Sequence, residues 1–167
     1  TFEIAIQLGA IFSVIALYWK TFLNNWEADK RIIVALIPTV LLGLVFYSAV
    51  KQLLDKEEVV VWSLLLGGVA LILFEWWHGK RKETNEDAGR ISYPHALAIG
   101  CFQALAFIPG VSRAAATIVG GLLLGIKRPA IVEFSFLLAV PTMAGATGFD
   151  IMKRAGQFSA AQFSLLA

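Results

Sequence analysis

Residues 108–117 read IPGVSRAAAT, a helix breaker, two hydroxyls and an arginine inside one of the most apolar parts of the chain. A lone arginine at bilayer depth costs about 2.5 kcal/mol or more, so it marks a functional site by default. Pro109-Gly110 ends the preceding helix, and Ser112 is a natural N-cap for the next one. The first N–H groups of that helix lack intrahelical acceptors, and the positive end of its dipole points the same way. Such a terminus suits phosphate. Arg113 adds a planar fork that can grip phosphate oxygens in pairs. Thr117 stands four residues on, on the same helix face as Arg113. The expectation is that Ser112, Arg113 and Thr117 converge on one phosphate. Plainer readings stay open: Pro-Gly can simply kink a helix, Ser or Thr can bond a carbonyl one turn back, and Arg113 can pair with a membrane carboxylate.

The other chemistry-bearing residues carry weaker patterns. Gly121 and Gly125 have the GxxxG spacing of helix packing, with Gly120 adjacent. Ile126 stands where a phosphate-binding P-loop needs lysine. Glu3 lies in the first apolar run, with Gln7 one turn later, and is a candidate substrate-binding residue. Glu75 and Asp150 fall near segment ends and are expected at the interface, while Glu133 is expected to favour the start of its helix. Cys101, His78 and His95 show no metal-ligand spacing, and one cysteine forms no internal disulfide.

The elements that must hold these residues are membrane helices. The chain has 167 residues, enough for one domain, of which 58% are hydrophobic and 16% charged, with mean hydropathy +0.74. Soluble domains carry about 45–50% apolar and about 25% charged residues, so this is a polytopic membrane protein. A net charge of +2, with the basic residues in short loops, argues against a nucleic-acid partner. The first apolar run lacks a basic leader and a cleavage site, so no signal peptide is expected. Spans of about 20 apolar residues are expected near residues 2–19, 32–50, 59–77 and 131–152, with Tyr and Trp at their ends. Residues 96–126 do not fit one span: a straight helix would run about 46 Å. Divided at Pro109-Gly110, half-helices at 96–108 and 113–126 would each reach only about 20 Å, a re-entrant hairpin. Basic residues favour the cytoplasm for the loops 20–31 and 78–95, with or without the hairpin.

The stretch FIPGVSRAAATIVGGLLLGIKRPAIVEFSFLLAVPTMAGATGFD resembles the second signature region of the bacterial undecaprenyl-diphosphate phosphatase family, the bacitracin-resistance type. That family carries a PGxSRSxxT-like pattern, then a helix, then an EFSFLLAVP-like segment. TFEIAIQLGAIFSV is similar to the family's stretch just after its first signature. The resemblance implies a multi-pass hydrolase of the bacterial inner membrane, built as inverted repeats with two re-entrant hairpins. It would convert undecaprenyl diphosphate to undecaprenyl phosphate and inorganic phosphate, recycling the carrier for cell-wall synthesis. It also implies a divalent cation, Mg2+ or Ca2+. Carried over, Ser112, Arg113 and Thr117 would bind or attack the diphosphate, and Gly110 would let the backbone approach closely. Ala114 departs from the family's second serine.

The family's glutamate-rich first signature does not occur in this sequence. With Thr1 for a first residue and an apolar run opening at QFSLLA, the chain is expected to be half to two-thirds of the fold, inactive alone, its metal ligands lying upstream. Expected partners are an isoprenyl diphosphate lipid and the bilayer, with homodimerisation open. The rival function is a transporter or flippase for an isoprenyl-phosphate lipid, since broken helices facing anions also serve transport. A structural subunit with a kinked helix is the third reading.

Overall fold

The computed structural model describes residues 2–24, 26–54, 56–79 and 91–154, apart from the side chains of residues 2–5, 7, 8, 20–24, 54 and 149–154. Among these residues the elements are α1 (Phe2–Asn24), α2 (Trp26–Val45), α3 (Tyr47–Leu54), α4 (Glu57–His78), α5 (Tyr93–Gln103), α6 (Arg113–Leu123) and α7 (Arg128–Arg154), with no strand. A 3-10 turn, Ala104–Phe107, prolongs α5. The chain is an all-α membrane bundle. Helices α4 and α7 are each long and apolar enough to cross a membrane. On α4, Leu64, Leu65, Leu66 and Ile72 are all exposed. A helix that is apolar on every side and leaves most of its surface uncovered by protein belongs in lipid.

Two helices depart from the spacing read in the sequence. The segment expected at 32–50 begins instead at Trp26 and bends by 70° between Val45 and Tyr47. Twenty residues already cover about 30 Å, the hydrocarbon thickness, so the chain turns aside before the exposed Lys51 and Gln52 of α3. Helix α1 continues past Trp19 through a kink at Tyr18, whose ring stacks on Phe136 of α7 with centroids 6.4 Å apart.

Helices α5 and α6 form a hairpin. Ser92 caps α5 by accepting from the His95 N–H at 3.4 Å, and Pro94 occupies the first turn, where no N–H is needed. With its 3-10 extension this arm reaches about 24 Å, and α6 about 16 Å. Neither crosses a core of about 30 Å. The arms run antiparallel, Phe102 lying against Gly120, and α6 returns antiparallel along α7, Gly121 lying against Ile131. Gly125 takes φ +84° and closes α6, with the Ile126 N–H bonded to the Gly121 carbonyl at 3.0 Å. This corrects the GxxxG reading. Gly125 is spent on ending the helix, and Gly120 and Gly121, side by side, make the packing contacts instead.

The hairpin is wedged between α2 and α7. Helices α2 and α5 run parallel and touch through backbone, since a Cβ at Gly100 would fall on the Ala35 carbonyl and the Pro38 ring. Ile32, Ala35, Ile99, Ile131, Phe134 and Leu138 form the heart of the core. Gly100→Val is expected to force α2 and α5 apart at a cost of about 1–3 kcal/mol or more. Thermal unfolding in detergent checks this; an unchanged midpoint would refute the close crossing.

Candidate active site

The hairpin tip is built by local chemistry. Beyond the 3-10 turn the Val111 N–H bonds to the Ile108 carbonyl at 3.0 Å. Gly110 follows Pro109 with φ +93°, and a Cβ there would stand 2.7 Å from the Val60 carbonyl of α4. Only glycine meets both demands. Ser112 then adopts extended dihedrals and caps α6, its hydroxyl accepting from the Ala115 N–H at 3.3 Å. Arg113 is the first residue of the helix it caps.

An ion pair marks the depth of this terminus. Arg128 donates to both carboxylate oxygens of Glu75 at 2.9 and 3.0 Å, tying α4 to α7, and both side chains are exposed. Such a pair sits with headgroups or water and contributes little stability. A helix of about 16 Å running inward from that level would bring Arg113 to the middle of a core of about 30 Å.

Arg113 is partly buried there. Its Nη2 approaches Met143 Sδ of α7 at 3.9 Å, and its Nη1 is buried with no hydrogen-bond partner. Among the described residues no carboxylate pairs with it, so the salt-bridge reading finds no partner there. A buried donor of a charged group left unpaired is destabilising, and an anion at this point would relieve it.

The three expected residues do not all have the same surroundings. Neighbouring positions on a helix point about 100° apart. Ser112 is exposed and faces a cavity of about 340 Å³ between α4 and α6. Leu64, Leu71, Phe74, Gly110, Ala115 and Val119 help line it, and the lining is almost wholly apolar. Arg113 and Thr117 turn instead towards α7. Thr117 is fully buried, its hydroxyl within 3.1 Å of the Arg113 carbonyl, 3.0 Å of the Ala114 carbonyl and 2.6 Å of Ser135 Oγ. In this arrangement Thr117 fastens α6 to α7 and offers nothing to a phosphate beside Ser112.

Sequence reasoning passed over a polar seam between α2, α5 and α7. Gln103, 1% exposed, donates through Nε2 to Thr39 Oγ1 at 3.1 Å and to Thr142 Oγ1 at 3.2 Å. The available signal was an amide in the apolar run before Pro109, a position where polar residues are costly. Glu3 falls in the first turn of α1, but its side chain lies outside the described residues. Glu133 is the sixth residue of α7, in its second turn, too far along for the expected dipole effect. The implied Mg2+ or Ca2+ finds no fit among the described residues, where no three His, Cys, Asp or Glu side chains come together.

Fold and site define an all-α membrane protein with a short internal helix that opens on an arginine at mid-depth. The chain belongs to the family described as bacitracin resistance protein BacA, which it matches over residues 1–167. It is similar to proteins named undecaprenyl-diphosphatase. The relative from Bdellovibrio bacteriovorus is 44% identical over 165 residues, covering 99% of this chain and 63% of its own length. The one from Sulfurihydrogenibium sp. is 47% identical over 158 residues, covering 95% of this chain and 62% of its own. That from Aquifex aeolicus is 44% identical over 167 residues, covering 99% and 65%. The chain thus spans less than two thirds of the length of these relatives.

Thr117→Val is expected to lower unfolding stability by about 1–3 kcal/mol, the cost of stranding the buried Ser135 hydroxyl. Equilibrium unfolding in detergent measures it. A variant of full stability with abolished activity would instead give Thr117 a direct part in the chemistry.

Proposed function

We propose that the full-length protein containing this chain hydrolyses undecaprenyl diphosphate to undecaprenyl phosphate and inorganic phosphate in the bacterial inner membrane. One observation carries the reading: Arg113, part-buried at the N-terminus of a short helix within the membrane, has a buried and unpaired Nη1. The names of the relatives and the family support it. Phosphoryl transfer asks mainly for positioning and for neutralisation of charge on the transferring group. The free N–H groups of α6, its dipole and the Arg113 fork supply both.

Water attacks the terminal phosphorus, its oxygen forming the new P–O bond and its protons passing to the two phosphate products. The bond between that phosphorus and the bridging oxygen breaks, leaving the electron pair on the lipid monophosphate. Ser112 sits at the cleft with its hydroxyl held by the Ala115 N–H, where it meets the headgroup as a hydrogen-bonding partner. Gly110 keeps the tip backbone free of side chain beside it. The apolar cleft between α6 and α4 suits the isoprenyl chain.

Phosphate release from undecaprenyl diphosphate by the purified full-length protein in detergent tests the reading. Arg113→Ala is expected to lose about 100-fold or more in kcat/KM, and Arg113→Lys to remain well below wild type, since lysine lacks the paired donors. Wild-type turnover retained in Arg113→Ala would overturn the role of the arginine. Movement of the lipid across vesicles without phosphate release would favour a flippase.

A further inference from the structure

Gln103 carries a buried acceptor that the proposed chemistry does not use. Counting donors fixes the orientation of its amide. The Thr39 hydroxyl lies 2.9 Å from the Gly100 carbonyl and 3.2 Å from the Ala35 carbonyl, and the Thr142 hydroxyl lies 2.7 Å from the Leu138 carbonyl. Each hydroxyl has a single proton, spent on backbone, and turns lone pairs to Gln103. The amide nitrogen must therefore face the two threonines, and both of its N–H groups are used. Oε1 is left buried with no partner, as is Nη1 of Arg113. Nη2 of the same guanidinium lies against Met143, the residue after the Thr142 that anchors Gln103. The amide that carries the orphan acceptor and the guanidinium that carries the orphan donor thus each have one nitrogen against the same turn of α7.

We propose that Gln103 is a positioning residue for Arg113: Oε1 and Nη1, unbonded in this arrangement, close to one hydrogen bond when an anion seats the guanidinium. This rests on the reading of Arg113 as the phosphate-binding group. The bond fixes the plane of the guanidinium, so that its remaining N–H groups meet phosphate oxygens in one orientation. Oε1 is not itself a phosphate ligand, because ionised phosphate oxygens are acceptors and repel it. The threonines hold the amide, the amide holds the arginine, and the arginine holds the anion.

A double-mutant cycle on the full-length protein separates this from packing. Gln103→Met keeps the side-chain volume and removes the acceptor. It is expected to lower kcat/KM for undecaprenyl diphosphate about 10–100-fold beside Arg113, but less than about 3-fold in an Arg113→Lys background. Equal losses in both backgrounds, or no loss in the first, would overturn the proposal. Should Gln103→Met not fold, Thr142→Val loosens the amide and is judged by the same criterion. Binding of inorganic diphosphate to the four proteins gives a readout independent of turnover. If wild type is inert on the lipid yet the binding losses are coupled, the hydrolase reading fails and this one stands. If wild type turns over and the losses add, this one fails alone.

Discussion

The structure is organised around the cost of keeping a guanidinium inside a membrane with no carboxylate beside it among the described residues. A continuous helix could carry Arg113 to that depth but would offer no backbone N–H groups there, because each would already be bonded within the helix. Breaking the chain at residues 108–112 delivers a helix N-terminus and an arginine at the same point. It also leaves two arms too short to cross, and a tip with freed polar backbone, which is tolerated at that depth only when shielded by protein. The surrounding helices supply that shield.

Close approach of backbones follows from this requirement. Gly100, Gly120 and Gly121 are the points where α2, α5 and α7 press on the hairpin, and none has room for a methyl group. Hydroxyls close the same seams from the polar side. Thr39 bonds across to α5, Thr117 and Ser135 join α6 to α7, and Thr142 reaches Gln103. Packing between membrane helices gains little from hydrophobicity, since lipid is equally apolar, so small residues and shared hydrogen bonds carry the association.

Much of this was legible in the chain. The Pro109-Gly110 break, the Ser112 cap and the short arms depend on local backbone rules, and local rules can be read from neighbouring residues. The bend between α2 and α3 was not legible, because it depends on where α2 enters the bilayer, which in turn is set by its contacts with α5. The packing of Thr117 was hidden for a related reason. Its spacing from Arg113 puts both on one face, but only the position of α7 shows that this face is packed and its hydroxyl already engaged. Gln103 escaped notice because its value lies in partners more than 30 positions away on α2 and α7.

Helix α6 has two unlike sides. Towards α4 it presents an oily cleft touched by one serine, and towards α5 and α7 it presents amides, hydroxyls and the guanidinium. Apolar and polar groups are therefore kept to opposite flanks. A molecule approaching past α4 would meet oil all the way, and charge is disfavoured on that flank. Among the described residues the two sides come together at the capped end of a three-turn helix.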